Sequence, residues 1–285
     1  MKTQFEKGIT FERGHIFPRR YRNLQNLPHW HREHELVLVE AGTATIMADG
    51  IFFTLQAGGG AFLHSEAIHS IRAEQGAVLT VAKIDAAHFR PLLGDRVPES
   101  PVLTEGHSVG DALADLQAEL AAPDSYSGAV ADAIATRLLA EMLRREVLTE
   151  RKGESDTAER YKALMDLIHR DYADLTFDEA ARFMHFSKPY FSKFFYAHTG
   201  MTFTQYLNTI RISFAAERLS AGDATVTEVS QSCGFNTIRN FNRVFKALTG
   251  YTPATLPRGY TFIRNIRDYA DTGFDPTLGC TEVLE

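Results

Sequence analysis

The heptapeptide His29-Trp-His-Arg-Glu-His-Glu35 gathers three imidazoles and two carboxylates around one tryptophan. Imidazole and carboxylate can coordinate Fe, Mn, Ni or Zn, and the same groups can hydrogen-bond a small polar molecule. Side chains alternate faces along an extended segment, so His29, His31 and Glu35 share parity and face one side. Buried histidines also satisfy their nitrogens on ordinary backbone. A ligand site, a metal site and a plain structural cluster therefore all stay open. The chain contains no nucleophile elbow, P-loop or dinucleotide fingerprint.

A second set of chemistry-bearing residues recurs in two copies. Thr176-Phe-Asp-Glu179 and Thr225-Val-Thr-Glu228 both have the capping-box form, in which a Thr caps a helix and a Glu three residues later reaches back. Each copy continues to a Phe with a cap residue, Phe186-Ser187 and Phe235-Asn236, and then to an aromatic helix that closes at Gly200 or Gly250. A short helix, a tight turn and a second helix make a helix-turn-helix. In the first copy Phe191, Phe194, Phe195 and His198 fall on one side, and Pro189, Ser192, Lys193 and Tyr196 on another. In the second, Phe241, Val244, Phe245 and Leu248 form the inner side, with Arg239, Asn242, Arg243 and Lys246 outside. Arg can donate twice to guanine and Asn can pair with adenine in the major groove. Any surface helix shows charge, but two copies with matching caps, spacing and faces point to double-stranded DNA.

The elements that position these groups read as follows. ELVLVEAG, ATIMADG and VLTVAKID, between about residues 29 and 90, are apolar runs broken by Gly or Asp-Gly, as in antiparallel hairpins. From residue 109 the pattern turns helical, with Val130, Ile134 and Leu138 four apart beside Leu139, Met142, Leu143 and Val147. That stripe either packs on its own barrel or forms a homodimer seam. ERKGESDTAE is charged and poor in apolar residues, as a linker would be. TFTQYLNTIRISFAAERLSAGD reads as a long helix bridging the two units, which would set the two reading helices about one DNA turn (~34 Å) apart.

Bulk properties bound the class. With 285 residues, the chain has room for two domains. Its net charge of −6 argues against nucleic acid until it is divided. Residues 1–155 carry 16 Lys and Arg against 21 Asp and Glu, whereas residues 156–260 carry 12 against 10. The acidity therefore sits mainly outside the segment assigned to DNA. Two distant cysteines, no leading apolar run and no membrane-length stretch predict a cytoplasmic protein.

Residues 160–257 resemble the DNA-binding domain of the AraC/XylS family of bacterial transcription regulators. The resemblance rests on Leu175-Thr-Phe-Asp-Glu-Ala-Ala, Phe186-Ser-Lys-Pro-Tyr-Phe-Ser-Lys-Phe-Phe, Tyr206-Leu-Asn, Arg211, Gly234-Phe235 and Phe241-Asn-Arg-Val-Phe-Lys through Thr252-Pro253. It implies base contacts from Pro189, Ser192 and Lys193 in the first unit and from Ile238, Arg239, Asn242 and Arg243 in the second; Lys188, Tyr196 and Lys246 are expected to face DNA beside them. Two departures bear on it. His185 stands where the second unit has Gly234, so the first turn is expected to be less regular. Pro189 and Ser192 are short for base readout, which assigns the first unit mainly to phosphates.

The His29–Glu35 segment with Gly42 and His69 resembles the first cupin motif and the distal histidine of the second. It implies a cupin-like barrel in which His29, Trp30, His31, Glu35 and His69 bind a small-molecule effector, commonly a sugar or sugar derivative. A divalent metal on His29, His31, Glu35 and His69 is the lesser alternative, and no cofactor is assigned. The expected fold is α+β in two domains: a barrel over 1–108, a helical dimerisation region over 109–150, a linker over 151–159, two helix-turn-helix units over 160–257, and a tail of unknown role over 258–285. The expected function is a non-enzymatic, sugar-responsive regulator, more often an activator, that works as a homodimer on a promoter operator, with RNA polymerase as a partner and no membrane contact. The alternative is a metal-dependent cupin enzyme fused to a DNA-binding module.

Overall fold

The computed structural model describes residues 14–104, 108–121, 123–150, 155–222, 224–260 and 277–284. The described residues fall into two compact units, 14–150 with 277–284, and 155–260.

The first unit is built on β1 (Ile16–Arg22), β2 (His34–Ala41), β3 (Thr43–Ala48), β4 (Ile51–Gln56), β5 (Gly60–Leu63), β6 (His69–Ala73) and β7 (Val78–Ile84). After these come α1 (Ala86–Leu93), β8 (Arg96–Pro98), α2 (Val109–Ala121), α3 (Ser127–Arg145) and β9 (Leu148–Glu150), and a final strand, β10 (Glu282–Leu284), belongs with them. A five-stranded sheet of order β10-β1-β7-β2-β5 faces a three-stranded sheet of order β4-β3-β6. Val37, Ile46, Leu63, Ile71 and Leu79 fill the space between the sheets. The opposite face of the larger sheet, through Ile16, Leu36, Phe62, Ala82 and Ile84, is covered by α1, α2 and α3. Burial on both faces is why VLTVAKI reads as a nearly unbroken apolar run.

Two expectations change here. Leu138 and Leu139, set in the candidate dimer seam, are 3% and 1% exposed and pack with Leu113, Leu116 and Phe89 inside this unit. The stripe on α3 is intramolecular core; of the residues named for it, Val130 and Val147 are exposed. The end of the tail, residues 277–284, has a structural place as well. β10 pairs antiparallel with β1, Arg20 opposite Leu284 and Arg22 opposite Glu282, and Leu278 N donates to Gln25 O at 2.7 Å.

The second unit contains α4 (Asp156–Arg170), α5 (Phe177–Phe183), α6 (Lys188–Thr199), α7 (Phe203–Ala221), α8 (Val226–Ser232) and α9 (Ile238–Thr249). Both short helices, α5 and α8, open with the reciprocal Thr–Glu capping box that the sequence shows. Helix α7 joins the two helix-turn-helix units and opens with a third box, Thr202 with Gln205. Among the described residues no helix is long and apolar enough to cross a membrane.

Candidate functional site

Each reading helix is fixed by its ends and its buried face. In α9, Thr237 caps the N-terminus by accepting from Asn240 N, and Gly250 closes the C-terminus at φ 79°. Phe241, Val244 and Phe245 are buried, with Phe235 edge-on to Phe241 at 5.2 Å. Burying such side chains contributes about 1.5–3 kcal/mol each, so the helix is clamped from behind. Ile238, Arg239, Asn242, Arg243 and Lys246 are all exposed on the other side. Leu248, expected on the inner side, is 38% exposed instead. The cap is Thr237 rather than Asn236, which locates the extra residue of the second copy in its turn.

In α6, Phe191 and Phe195 are buried against Phe203 and Tyr206, and Pro189 sits in the first turn, where a missing N–H costs nothing. Lys188, Pro189, Ser192, Lys193 and Tyr196 are exposed. The Lys188 ammonium donates to Asp178 Oδ2 at 2.6 Å, so a neighbouring carboxylate competes with any phosphate for it. Phe194 and His198 lean sideways, stack on each other at 4.0 Å and meet Tyr161 of α4.

The two turns are more alike than their residues. His185 has φ 57° and Gly234 φ 77°, so both take the left-handed conformation. His185 N donates to Arg182 O and Phe186 N to Ala181 O; Gly234 and Phe235 repeat the pattern onto Gln231 and Ser230. The first turn is thus as regular as the second, because His185 is exposed and histidine is among the residues that enter this region more readily. Glycine is demanded at 234 for another reason. A Cβ there would lie 2.0 Å from Ala173 O. Arg211 of α7 holds that same loop, donating to the carbonyls of Tyr172 and Ala173 at 2.8 and 3.0 Å.

In the first unit, His29, His31, Glu35 and His69 converge, all buried, with one ligand atom from each within 4.8 Å of the others. Of the three residues placed by strand parity, only Glu35 lies in a strand, β2. His29 is brought in by a two-way backbone bridge to His69, at 3.0 and 2.9 Å, and His31 by Glu66 N donating to its carbonyl at 2.7 Å. Trp30 is half-buried between them in sequence. Each of the three rings turns Nδ1 to a backbone carbonyl: His29 to Leu27 at 2.8 Å, His31 to Glu33 at 3.1 Å and His69 to Ala67 at 2.9 Å. His31 Nε2 meets Glu35 Oε1 at 2.9 Å; Glu35 Oε2 and His69 Nε2 stand 3.3 Å apart, and neither makes a hydrogen bond.

The electrostatics follow from burial and neighbours. Burial and the adjacent His69 and His31 rings push His29 well below its usual range. For His31, burial and Lys83 act downward, but Glu35 and Glu33 outweigh them and hold it at about 9. Burial alone would raise the Glu35 carboxyl; His69 and His31 bring it well below the usual carboxylate range. Sequence reasoning missed two members of this neighbourhood. Lys83 lies directly across from Glu35 on β7 with its Nζ 3.8 Å from Oε1, and Glu33 Oε2 is 3.4 Å from His31 Nδ1. The available signal was a lysine inside the apolar run of β7. A second group, His15, His88 and Asp132, also gathers ligand atoms: His15 Nδ1 and His88 Nε2 stand 2.9 and 3.7 Å from Asp132 Oδ2, and the two rings stack 3.6 Å apart.

The comparisons agree with this division. The AraC-like ligand binding domain model matches residues 19–168, and a helix-turn-helix domain model matches residues 180–259. The chain is 26% identical over 247 residues to the HTH-type transcriptional activator RhaS of Enterobacter sp. (strain 638), covering 81% of this chain and 87% of that protein. It is 33% identical over 98 residues to the HTH-type transcriptional regulator YtdP of Bacillus subtilis (strain 168), of which the chain spans 13%. Among solved structures, ToxT from Vibrio cholerae O395 aligns over 84% of this chain and 95% of its own, at a TM-score of 0.42 and 13% identity.

Proposed function

Since the chain belongs to the AraC family of helix-turn-helix transcription regulators, we propose that it is an activator that reads DNA mainly through α9 and answers to a small polar effector held in the barrel. The observation that carries this reading is the face of α9: three cationic side chains and Asn242 exposed on one side of a helix whose other side is clamped by buried Phe241 and Phe245. Arg239, Asn242 and Arg243 read base edges with Ile238 beside them, and Lys246 neutralises phosphate. In the first unit, Lys193, Ser192, Pro189 and Tyr196 settle the protein on the backbone, and Lys188 acts only if it leaves Asp178. The effector is a sugar or sugar derivative that meets His29, Trp30, His31, Glu35 and His69, and the regulator works in the cytoplasm as a homodimer beside RNA polymerase.

Operator titrations test the reading. Arg239→Ala and Arg243→Ala each cost about 1–3 kcal/mol on the operator and relax preference at one base position. Lys246→Ala weakens every sequence alike and lowers the salt slope by about one. Equal losses on operator and random DNA for both arginine variants would overturn base readout by α9.

A further inference from the structure

The outward face of α9 carries Arg239, Asn242, Arg243 and Lys246, and among the described residues three of these side chains make no hydrogen bond or ion pair. Arg243 is the exception. Its Nη2 donates to Asn240 Oδ1 at 2.9 Å. Asn240 is not among the residues that helical spacing assigns to the reading face; it stands at the border, where side chains at i and i+3 meet. Both residues are exposed, so burial does not force the contact. Asn240 has a firm seat, because its backbone N–H donates to Thr237 Oγ1 at 3.2 Å in the capped first turn. The acceptor is also neutral. Asp178 offsets the charge of Lys188 while holding it, whereas Asn240 orients the Arg243 cation and leaves its charge whole.

We propose that Asn240 is a positioning residue for base recognition: it fixes the plane of the Arg243 guanidinium and so decides which base edge that arginine reads. The proposal rests on reading α9 as the recognition helix. A guanidinium is a rigid planar fork tethered at Cδ, so one donated bond at Nη2 settles the direction of its remaining N–H groups. An unbraced arginine turns the same donors to phosphate oxygens or to any base acceptor in reach, and phosphate contacts carry no sequence information. A braced fork meets guanine O6 and N7 with less freedom left to lose. The first unit is built differently. There Lys193 takes the place of Arg243 and Tyr190 that of Asn240. The tyrosine ring lies edge-on to Phe186 at 4.6 Å, and the Lys193 ammonium has no partner among the described residues. A compact ammonium on a flexible stem suits phosphate. The braced arginine thus falls in the unit proposed for base readout, and the unbraced lysine in the one proposed for the DNA backbone.

The test selects binding sites from a pool of randomised DNA duplexes, using the full chain as wild type, Asn240→Ala, Arg243→Ala and the double variant. Comparing wild type with Arg243→Ala finds the base position that depends on Arg243. Asn240→Ala is expected to lower the preference at that same position by about 3–10-fold, the worth of one orienting hydrogen bond, and to leave the other positions as they are. Its affinity for a random duplex falls by less than about twofold, and its melting shifts by less than about 2 °C. A bond that merely braced the helix surface would move melting and leave base preference alone. In the Arg243→Ala background, Asn240→Ala changes nothing further at that position, as coupled residues require. An unchanged preference in Asn240→Ala, equal losses on selected and random duplexes, or a further loss in the double variant would each overturn the proposal. Failure of the wider reading looks different. A wild-type chain that selects no consensus defeats the reading of α9 and this proposal with it, whereas a clear consensus untouched by Asn240→Ala defeats the proposal alone.

Discussion

Gly234→Ala separates two reasons for glycine at a helix-turn-helix corner. An alanine at φ 77° costs about 1–2 kcal/mol from the left-handed backbone alone. Its Cβ would also stand 2.0 Å from Ala173 O, 2.8 Å from Ala173 C and 2.9 Å from Ala173 Cα. All three are backbone atoms, and Arg211 holds that loop, so relief requires moving main chain by more than 1 Å. Forced overpacking adds about 1–3 kcal/mol. The expected loss is about 2–5 kcal/mol, a large part of a domain's usual ~5–15 kcal/mol. His185→Ala is the control: it has the same left-handed conformation at φ 57° on an exposed residue, and its effect stays below about 1 kcal/mol. Native-state hydrogen exchange on the full chain reads each region separately, α8 and α9 for Gly234, α5 and α6 for His185. If Gly234→Ala lowers protection in α8 and α9 no more than His185→Ala lowers it in α5 and α6, the approach to Ala173 is not what demands glycine.

Three further outcomes follow from the same geometry. Leu138→Glu buries a carboxylate among Leu113, Leu116 and Phe89 and costs more than the ~2–5 kcal/mol of simple truncation; a soluble, sharply melting monomer in sedimentation would restore the dimer seam. Ending the chain after Tyr260 removes β10 from β1, which lowers sensor melting while operator binding by α9 persists; unchanged melting would make the strand dispensable. In chelator-stripped protein, His31, raised to about 9, contributes stability that is complete below its unfolded value of about 6.5. That stability drains away as pH rises from about 6.5 through 9, and a flat urea midpoint over that window would contradict the His31–Glu35 pairing.

The sequence makes the second unit legible because its information is local. Capping boxes three residues apart, aromatics at helical spacing and terminal glycines all act within one or two turns, and the structure places both Thr–Glu boxes, Phe191, Phe195, Phe241 and Phe245, and Gly200 and Gly250 as read. Leu248 escaped because the end of a periodic stripe need not have anything packed over it. In the first unit, parity brought His29, His31 and Glu35 together although only one of them is in a strand; the bridge to His69 did what a strand would have done. Amphipathic spacing on α3 told that Leu138 and Leu139 are buried, but periodicity carries no record of what buries them. Lys83 could have been read from its apolar surroundings. The pairing of β10 with β1 could not, because no pattern in three residues identifies a partner that far away.

That pairing also sets a clock on synthesis. Arg22 and Glu282 meet across 260 positions, so at about 5–20 residues per second the sensing sheet waits roughly 10–50 s for its last strand. Throughout that interval β1 is an open edge, a template for pairing with another chain. The whole of α4 to α9 leaves the ribosome first. A nascent regulator can therefore fold its reading helices while the domain meant to govern them is still incomplete.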